Sequence, residues 1–374
     1  MLTTEKIDKN LVVILLLYVM GVIIRYWAMS IGSGFDFESY CIVGDVVTQF
    51  KNVYAETSRY NYGPIFFLVQ GFSYWLAHFF SMDIQQTYRT ILVGVFTLTD
   101  LFISIWLGIR YDLKTSLIFF LNPISIIITG YHNQFDNMAI LLALISCIYY
   151  NEEKDFTKKD VLFVVFLSLS LIMKHILFIF PFFLLVKRGL PLKKKIIYVF
   201  LPPMLFAFSF LPFVIGNIDA LRGVLYNVFL YRSYAISPLF GKLLRIPEQF
   251  YFLFYIVLMV FMALIICGQA YEYMLMLYLI SMFTFSSSMA PQYYIIPIVA
   301  LCVIDNGTIR NIYFVLVGVL LTVSEFGSNI LDRWYVGRIA LEHRDKIAVW
   351  ITFMLIIKEV IKLYIMKREA VCEK

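Results

Sequence analysis

Apolar runs of the length that crosses a lipid bilayer recur along this chain from Leu11 to Met366. The polar stretches between them are short, and none approaches the roughly 50–100 residues that a separate soluble domain needs. Hydrophobic residues make up 61% of the 374 residues and charged residues only 15%, so the chain has too little polar surface to cover a soluble fold. The sequence therefore predicts an all-α, polytopic membrane protein in which residues 1–374 form a single membrane domain.

Thirteen apolar segments stand out in the sequence. They are Leu11–Met29, Ile65–Phe80, Thr90–Ile109, Ser116–Thr129, Met138–Tyr150, Val161–Met173, Ile176–Val186, Ile196–Ile215, Tyr251–Cys267, Tyr273–Met289, Tyr293–Ile304, Ile312–Val323 and Ala348–Met366. Basic clusters separate groups of these segments, at residues 6–9, 110–114, 154–159, 187–195 and 367–368. Because Lys and Arg favour cytoplasmic loops, an even number of crossings should lie between any two clusters. Three segments lie between the first two clusters, so one of them should not cross the membrane.

Ile65–Phe80 is the segment that we expect not to cross. It is short, and Gln70, Ser73, Ala77 and His78 recur at helical spacing on one face. We predict an amphipathic surface helix in the first exterior loop. Without this segment, about 12 transmembrane helices remain and both termini lie in the cytoplasm.

The apolar run 161–186 contains Lys174 and His175 near its centre. A single span would hold both polar groups at the middle of the bilayer, where they are costly. We therefore predict two short helices that meet outside the membrane at Lys174.

With this topology, the unusual polar residues gather on the exterior side. Asp36 lies in the first exterior loop, the turn 130–137 carries several polar groups between two apolar helices, and Lys174 lies in the third exterior turn. Each residue also has a simpler structural explanation. Asp36 could be a solvated loop residue, and Asp136 could cap the helix that follows it. Lys174 could extend its side chain to the membrane interface. Their convergence on one face favours a functional site.

These side-chain types suit one class of reaction. A carboxylate accepts a proton from an attacking hydroxyl, a cation stabilises a phosphate leaving group, and His, Asn and Gln bind sugar hydroxyls. The sequence contains no P-loop and no dinucleotide-binding glycine motif, so the energy should come from an activated donor in the membrane. The net charge of +6 lies in the short clusters that set topology, and nucleic acid is not an expected partner.

The order and spacing of these motifs resemble the C-type glycosyltransferase superfamily, integral membrane enzymes that use polyprenyl-phosphate-linked sugars. The motifs are Asp36 with Tyr40, Tyr54, Tyr62-Gly63-Pro64-Ile65, Asn122-Pro123, the turn His132-Asn133-Gln134-Phe135-Asp136, Lys174-His175 ahead of Pro181, and the late turn Gln292-Tyr293-Tyr294. The resemblance covers the first half of the chain well. It implies a catalytic-type module in 1–215 and more variable C-terminal helices in 216–374.

The resemblance also implies roles for individual residues. Asp36 would be the catalytic base that deprotonates the acceptor hydroxyl, and Glu38 is an alternative for that role. The donor phosphate and sugar would be bound by His132, Gln134, Asp136, Lys174, His175 and Arg232. An acceptor site would comprise Glu38, Tyr40, Tyr62, Gln292 and Tyr293. If a divalent cation (Mg or Mn) takes part, its ligands would be Asp36, His132 and Asp136.

The expected function is transfer of a hexose-type sugar from a polyprenyl-phosphate donor to an extracytoplasmic glycan or lipid acceptor. The membrane would be the plasma membrane of a bacterium or the endoplasmic reticulum of a eukaryote. A multi-span transporter or a flippase for lipids or oligosaccharides is the alternative, because about 12 spans also suit that class. A non-catalytic subunit of a polysaccharide assembly system is a third hypothesis.

Overall fold

The computed structural model describes residues 4–80, 82–230, 245–286, 289–305, 307–326 and 335–372. Within these ranges the regular secondary structure is helical, which confirms the predicted all-α class. The chain divides into two compact units. The first comprises residues 1–141 with 209–231, and the second comprises residues 142–208 with 232–374. The sequence-based division at residue 215 stays a prediction.

The helices follow one another closely along the chain. The first thirteen are α1 (Thr4–Ile31), α2 (Asp36–Thr48), α3 (Val53–Glu56), α4 (Pro64–Phe80), α5 (Ile84–Arg110), α6 (Leu113–Phe120), α7 (Pro123–Gly130), α8 (Asp136–Tyr149), α9 (Lys158–Met173), α10 (Phe180–Val186), α11 (Leu192–Phe208), α12 (Leu211–Val214) and α13 (Ile218–Gly223). Further α-helices span Tyr251–Ile266, Tyr271–Phe285, Ile298–Ile304, Thr308–Ile312, Gly318–Phe326, Tyr335–Glu342 and Arg344–Cys372. Short 3-10 or π-helical turns lie at His175–Leu177, Val224–Phe229, Glu248–Phe250, Pro291–Ile295 and Tyr313–Val317. Each of the thirteen predicted apolar segments overlaps one of these helices or two or three consecutive ones.

Several helices have the length and composition of membrane spans. Among the described residues there are five such stretches: Leu11–Ile31, Ile84–Arg110, Leu192–Val214, Glu248–Ile266 and Thr308–Phe326. Two bent helix pairs raise the number to seven if each pair is one span. Shorter apolar helices occupy Pro64–Phe80, Asp136–Tyr149, Tyr271–Phe285 and Pro291–Ile304. The protein is therefore a helical membrane protein.

The outward-facing side chains of these helices are apolar. In α1, Leu16 and Ile23 are each 61% exposed, whereas Ala28 on the opposite face is buried. Ile109 of α5 is exposed as well. A helix that faced water would present its polar side outward. These apolar faces are therefore suited to contact with lipid.

Helix α4 is amphipathic, as predicted, but its polar side faces the protein. Gln70 and Ser73 are buried, while Phe72 and Trp75 are exposed. The buried side of α4 packs against α2 and α5. A polar inner face and an apolar outer face are what a helix in contact with lipid requires. This arrangement suits a helix lying in the membrane interface as well as a short span.

The run 161–186 breaks at Lys174, which confirms that part of the prediction. Helix α9 ends at Met173, and the segment from His175 to Val186 continues at a bend of 116°. The segments before α9 and after α10 lie close together: Lys187 Nζ is 2.8 Å from a carboxylate oxygen of Glu152. The basic segments 154–159 and 187–195, both predicted to be cytoplasmic, therefore lie near each other.

The segment Ser116–Thr129, predicted as one continuous apolar run, is also two helices. It bends by 46° between α6 and α7, at Asn122 and Pro123. The Asn122 side chain accepts a hydrogen bond from the backbone N–H of Ile124 over 2.9 Å, which caps α7. Proline at the first position of α7 lacks an N–H that could bond within α6, so the chain starts a new helix there.

The C-terminal helix Arg344–Cys372 packs along Tyr271–Phe285 in the second unit. Near its start, Asp345 accepts a hydrogen bond from the Tyr294 hydroxyl. Fourteen residues later, Glu359 accepts one from the Tyr273 hydroxyl over 2.5 Å. Helix geometry separates these two contacts by about 21 Å. The late turn at Tyr294 and the start of the C-terminal helix therefore lie at the same end of this bundle.

Candidate functional site

Asp36 opens α2, directly after the loop that follows the first membrane helix. The side-chain amide of Gln134 donates a hydrogen bond from Nε2 to Asp36 Oδ2 over 2.5 Å. Asp36 is half-buried, whereas Gln134 is 3% exposed. The positive end of the α2 dipole also stabilises a carboxylate in the first turn. The contact joins two predicted site residues that are 98 positions apart in the chain.

Gln134 belongs to a compact buried turn between α7 and α8. The backbone N–H of His132 bonds to the carbonyl of Ile127, and that of Gln134 bonds to the carbonyl of Ile128, each over 3.1 Å. Asn133, between them, has a φ of +55°, in the left-handed region that Asn tolerates better than most residues. Its Nδ2 donates to the carbonyl of Gly130 over 2.8 Å. This geometry turns the Gln134 side chain toward Asp36.

A layer of aromatic side chains lies beneath Asp36 and the turn. The Phe66 and Phe135 rings stack with centroids 3.4 Å apart, and the Tyr62 ring meets Phe135 edge-on at 4.8 Å. Tyr40 is buried within the same layer. Burial raises the pKa of Tyr40 well above its usual value, and the nearby Tyr62, Asp36 and Asp136 raise it further. The Tyr40 hydroxyl is therefore neutral and within electrostatic reach of both carboxylates.

Two buried polar atoms near Asp36 have no hydrogen-bond partner among the described residues. They are Oε1 of Gln134 and the hydroxyl oxygen of Tyr40. Buried polar atoms without partners are rare in proteins, and each calls for an explanation. A ligand that carries hydroxyl groups is one explanation.

Arg89 of α5 connects the loop before Asp36 with the turn that carries Gln134. Its Nε donates to Asn133 Oδ1 over 2.9 Å, and its Nη2 donates to the carbonyl of Tyr131 over 3.3 Å and to the carbonyl of Gly32. The guanidinium also lies 5.5 Å from the centroid of the Phe37 ring. One buried side chain thus holds both segments of the site at a fixed separation.

A second buried charged group lies under the turn. Asp100 of α5 and Arg25 of α1 form an ion pair of 3.0 Å, and both side chains are 0% exposed. The Asp100 carboxylate accepts five hydrogen bonds, from Arg25 Nε and Nη2, Ser125, Thr129 and Asn137. These donors come from α1, α7 and α8. Thr129 and Asn137 flank the turn on either side, so Asp100 fixes both of its ends.

Close backbone contact between α1 and α7 depends on Gly130. A Cβ atom on this residue would lie 2.4 Å from the carbonyl oxygen of Arg25. Real Cβ atoms do not approach backbone oxygens so closely, so only glycine fits at this position. The end of α7, and with it the start of the turn, is therefore held directly against α1.

Other predicted site residues belong to the second unit or lie outside the described ranges. Lys174 is buried at the end of α9 in the second unit, where its N–H bonds to the carbonyl of Ser170 over 3.1 Å. His175 follows it, and its ring lies 6.1 Å from that of Phe206. Gln292 and Tyr293 are half-buried in the 3-10 turn at the start of a second-unit helix. Arg232 lies outside the described residues.

Glu38 and Tyr40 point to opposite sides of the first turn of α2. Glu38 is 67% exposed and forms an ion pair of 3.1 Å with Arg59. Tyr40 is buried, so its position suits support of Asp36 better than contact with an acceptor. Within the described ranges, no cluster of three or more His, Cys, Asp or Glu side chains is arranged to hold a metal ion.

Sequence reasoning gave no individual role to Arg25, Arg89, Asp100 or Asn133, although Asn133 belongs to the predicted turn motif. Arg25 and Asp100 each interrupt an apolar run that was predicted to cross the membrane. Charged residues at such positions are costly and usually paired, which was the available signal. Their pairing with each other, 75 residues apart, requires the fold.

Comparisons with known proteins add no assignment. No family model, no curated protein and no solved structure matches this chain. The resemblance to C-type glycosyltransferases stays a prediction that depends on the quoted motifs.

Proposed function

We propose that this protein is a membrane glycosyltransferase that moves a sugar from a polyprenyl-phosphate donor to an extracytoplasmic acceptor. The observation that carries the proposal is the 2.5 Å hydrogen bond between Gln134 and Asp36. It links a half-buried carboxylate to a buried polar turn, which is an expensive arrangement in a membrane protein unless the turn binds something.

In this proposal Asp36 is the general base. The acceptor hydroxyl oxygen attacks the anomeric carbon of the donor sugar while the bond from that carbon to the phosphate oxygen breaks. The hydroxyl proton passes to Asp36, and the polyprenyl phosphate leaves with the bonding electron pair. A single displacement of this kind inverts the anomeric configuration. The amide of Gln134 holds Asp36 in one orientation, so that the carboxylate is aligned before the acceptor arrives.

Donor binding is assigned by the resemblance to His132, Gln134, Asp136, Lys174, His175 and Arg232. Of these, His132, Gln134 and Asp136 share the buried turn beside Asp36, and the unpartnered Oε1 of Gln134 suits a sugar hydroxyl. The observed carboxylates give no cluster typical of a resident metal ion in the described part of the chain.

The membrane arrangement belongs to the same proposal. Twelve crossings, with both termini in the cytoplasm, would put Asp36, the turn 130–137 and Lys174 on the exterior side. The hairpin at Lys174 and the meeting of Tyr294 with Asp345 agree with this parity. The membrane would be the plasma membrane in a bacterium or the endoplasmic reticulum in a eukaryote.

The test is a transfer assay with purified protein in liposomes. A panel of radiolabelled polyprenyl-phosphate sugars is supplied together with a glycolipid extract from the source membrane. The proposal predicts a new glycosidic product, with inverted anomeric configuration, from at least one donor. If every donor is recovered unchanged while labelled lipid crosses the bilayer, the protein is not a transferase.

A transporter or flippase remains the second candidate because of the Arg25–Asp100 pair. Charged residues inside membrane helices often mark an ion or substrate pathway. Here, however, the pair is fully buried and Asp100 accepts five hydrogen bonds, which suits a fixed support rather than a moving ligand site. Flux of donor lipid that requires Asp100 but not Asp36 would favour this candidate.

A further inference from the structure

A cavity of about 350 Å³ lies beside the first turn of α2. Its lining includes Gly34, Phe35, Phe37, Glu38, Cys41 and Gln85. The residues on both sides of Asp36 in the chain thus contribute to its wall. The volume is at the small end of the ~300–1,000 Å³ that small-molecule sites occupy.

One wall of the cavity is braced by Arg59. Its Nη2 lies 3.1 Å from Glu38 Oε2, and its Nε donates to the Ser39 hydroxyl over 3.0 Å. The guanidinium also stacks 4.5 Å from the centroid of the Phe35 ring. The carboxylate and the aromatic ring that line the cavity are therefore held in place by one cation, although both remain exposed.

Gly34 lines this cavity and also contacts the turn that carries Gln134. A Cβ atom on Gly34 would lie 2.9 Å from Nδ1 of His132. The backbone N–H of Gly34 also bonds to the carbonyl of Tyr131 over 3.3 Å. A ligand in the cavity and a ligand at the turn would therefore be separated by little more than one glycine and Asp36.

The chemistry of the lining selects a class of ligand. Glu38 and Gln85 offer a carboxylate and an amide to hydroxyl groups, and Phe35 and Phe37 offer apolar rings. Glu38 is the charged residue among the described lining, and Arg59 already forms an ion pair with it, so the lining offers no uncompensated cation to attract an anionic phosphate. A neutral sugar ring, with hydroxyls at its edge and C–H groups on its face, fits both features.

We propose that this cavity binds the neutral sugar that carries the acceptor hydroxyl, and that Glu38 and Gln85 recognise its other hydroxyls. The proposal rests on the transferase function, for which it names the acceptor class. It places donor phosphate and acceptor sugar on opposite sides of Gly34, with Asp36 between them.

Cys41 provides a reporter because its thiol lines the cavity. Burial and the neighbouring Glu38 raise the pKa of Cys41 to about 11, so the thiol reacts slowly and its rate increases with pH. The experiment measures iodoacetamide labelling of Cys41 by mass spectrometry, at mildly alkaline pH, with methyl glycosides of glucose, galactose, mannose and N-acetylglucosamine. Methyl glucuronide, which differs from methyl glucoside by a carboxylate, is the anionic control.

We expect at least one neutral glycoside to slow labelling of Cys41 with saturation, and methyl glucuronide to have no such effect. Gln85→Ala should raise the concentration for half-protection about tenfold, as expected for one lost hydrogen bond. Gln49→Ala, an exposed amide at the other end of α2, should leave it unchanged. Equal protection by the glucuronide, or no protection by any neutral glycoside, would overturn the proposal.

The two proposals fail in different ways. Protection of Cys41 without transfer of any donor sugar would keep the binding cavity and reject the transferase. Transfer that proceeds while no neutral glycoside protects Cys41 would keep the transferase and reject this acceptor site.

Discussion

Two carboxylates of the first unit, Asp36 and Asp100, occupy opposite kinds of environment. Asp100 is fully buried, paired with Arg25, and accepts five hydrogen bonds. Asp36 is half-buried, is flanked in the chain by residues that line a cavity, and accepts a hydrogen bond from the side-chain amide of Gln134 over 2.5 Å. Both accept hydrogen bonds from side chains in the same turn, Asp36 from Gln134 and Asp100 from Asn137. The difference teaches how a membrane protein can use one residue type for support and for chemistry.

A saturated buried carboxylate has no capacity for a ligand. Every strong donor near Asp100 is already used, and separating it from Arg25 would leave an unpaired charge in a membrane helix. Asp36 remains partly exposed to solvent and is oriented by the amide of Gln134. The comparison therefore favours a structural role for Asp100, and it agrees with the role of base that we propose for Asp36.

The largest effect is expected for Asp100→Ala. Loss of this partner leaves Arg25 buried without a counter-ion, at a cost of about 3–5 kcal/mol of folding free energy. Thermal unfolding of the detergent-solubilised protein measures the change. The double variant Arg25→Met with Asp100→Leu is the control, because it removes both charges and should recover much of the stability. A stable single variant would contradict the structural role.

Gln134→Ala should reduce sugar transfer about 100-fold, because Asp36 loses the amide that orients it. Thermal unfolding should change much less than in Asp100→Ala, since the variant leaves no buried charge behind. Gln49→Ala is the matched control. Gln49 donates to Asp45 over 2.7 Å at the exposed C-terminal end of α2, the helix that begins at Asp36. Equal loss of activity in Gln134→Ala and Gln49→Ala would show that the amide next to Asp36 has no special role in transfer.

Arg89→Lys should retain the charge but lose the simultaneous bonds to Gly32, Tyr131 and Asn133. We expect a loss of about 1–3 kcal/mol in stability, from buried acceptors without donors, and a lower kcat with nearly unchanged KM. Arg222→Lys, in an exposed ion pair with Asp219, should cost at most about 1 kcal/mol. An Arg89→Lys variant with full kcat would show that the separation of the two segments does not matter.

Gly130→Ala is expected to reduce stability by a similar amount, without the loss of kcat expected for Arg89→Lys. The added methyl group meets the carbonyl oxygen of Arg25, and relief of that overlap should cost about 1–3 kcal/mol. Gly94→Ala in α5 is the control, because its Cβ would approach only the end of the Tyr26 side chain. Melting temperatures of the two variants should differ, with Gly130→Ala the lower; identical values would argue against close packing at Gly130.

Most of the helices could be predicted from the sequence, because apolar runs in a membrane protein report directly on spans. The break at Lys174 was also predictable, since two polar groups at mid-membrane are expensive. The break at Asn122-Pro123 was missed. There an apolar run continued across a proline, and hydropathy alone did not register the capping geometry that divides α6 from α7.

The site was predictable only as a list of polar residues on one side. That Asp36 accepts a hydrogen bond from Gln134 depends on the left-handed conformation of Asn133 and on the bonds of Arg89, which shape the turn. Such details depend on contacts between segments that are far apart in the chain. The orientation of α4 was equally hidden, because an amphipathic pattern does not say whether the outer solvent is water or lipid.

The most direct test of the assignment of Asp36 compares Asp36→Asn with Asp45→Asn in the liposome transfer assay. Both residues lie on α2, and both accept a hydrogen bond from a glutamine side chain, so the two substitutions are closely matched. We predict that Asp36→Asn folds normally and loses transfer by a factor of about 10²–10⁴, the usual contribution of a general base. Asp45→Asn should retain wild-type transfer. Wild-type rates in well-folded Asp36→Asn would contradict the account.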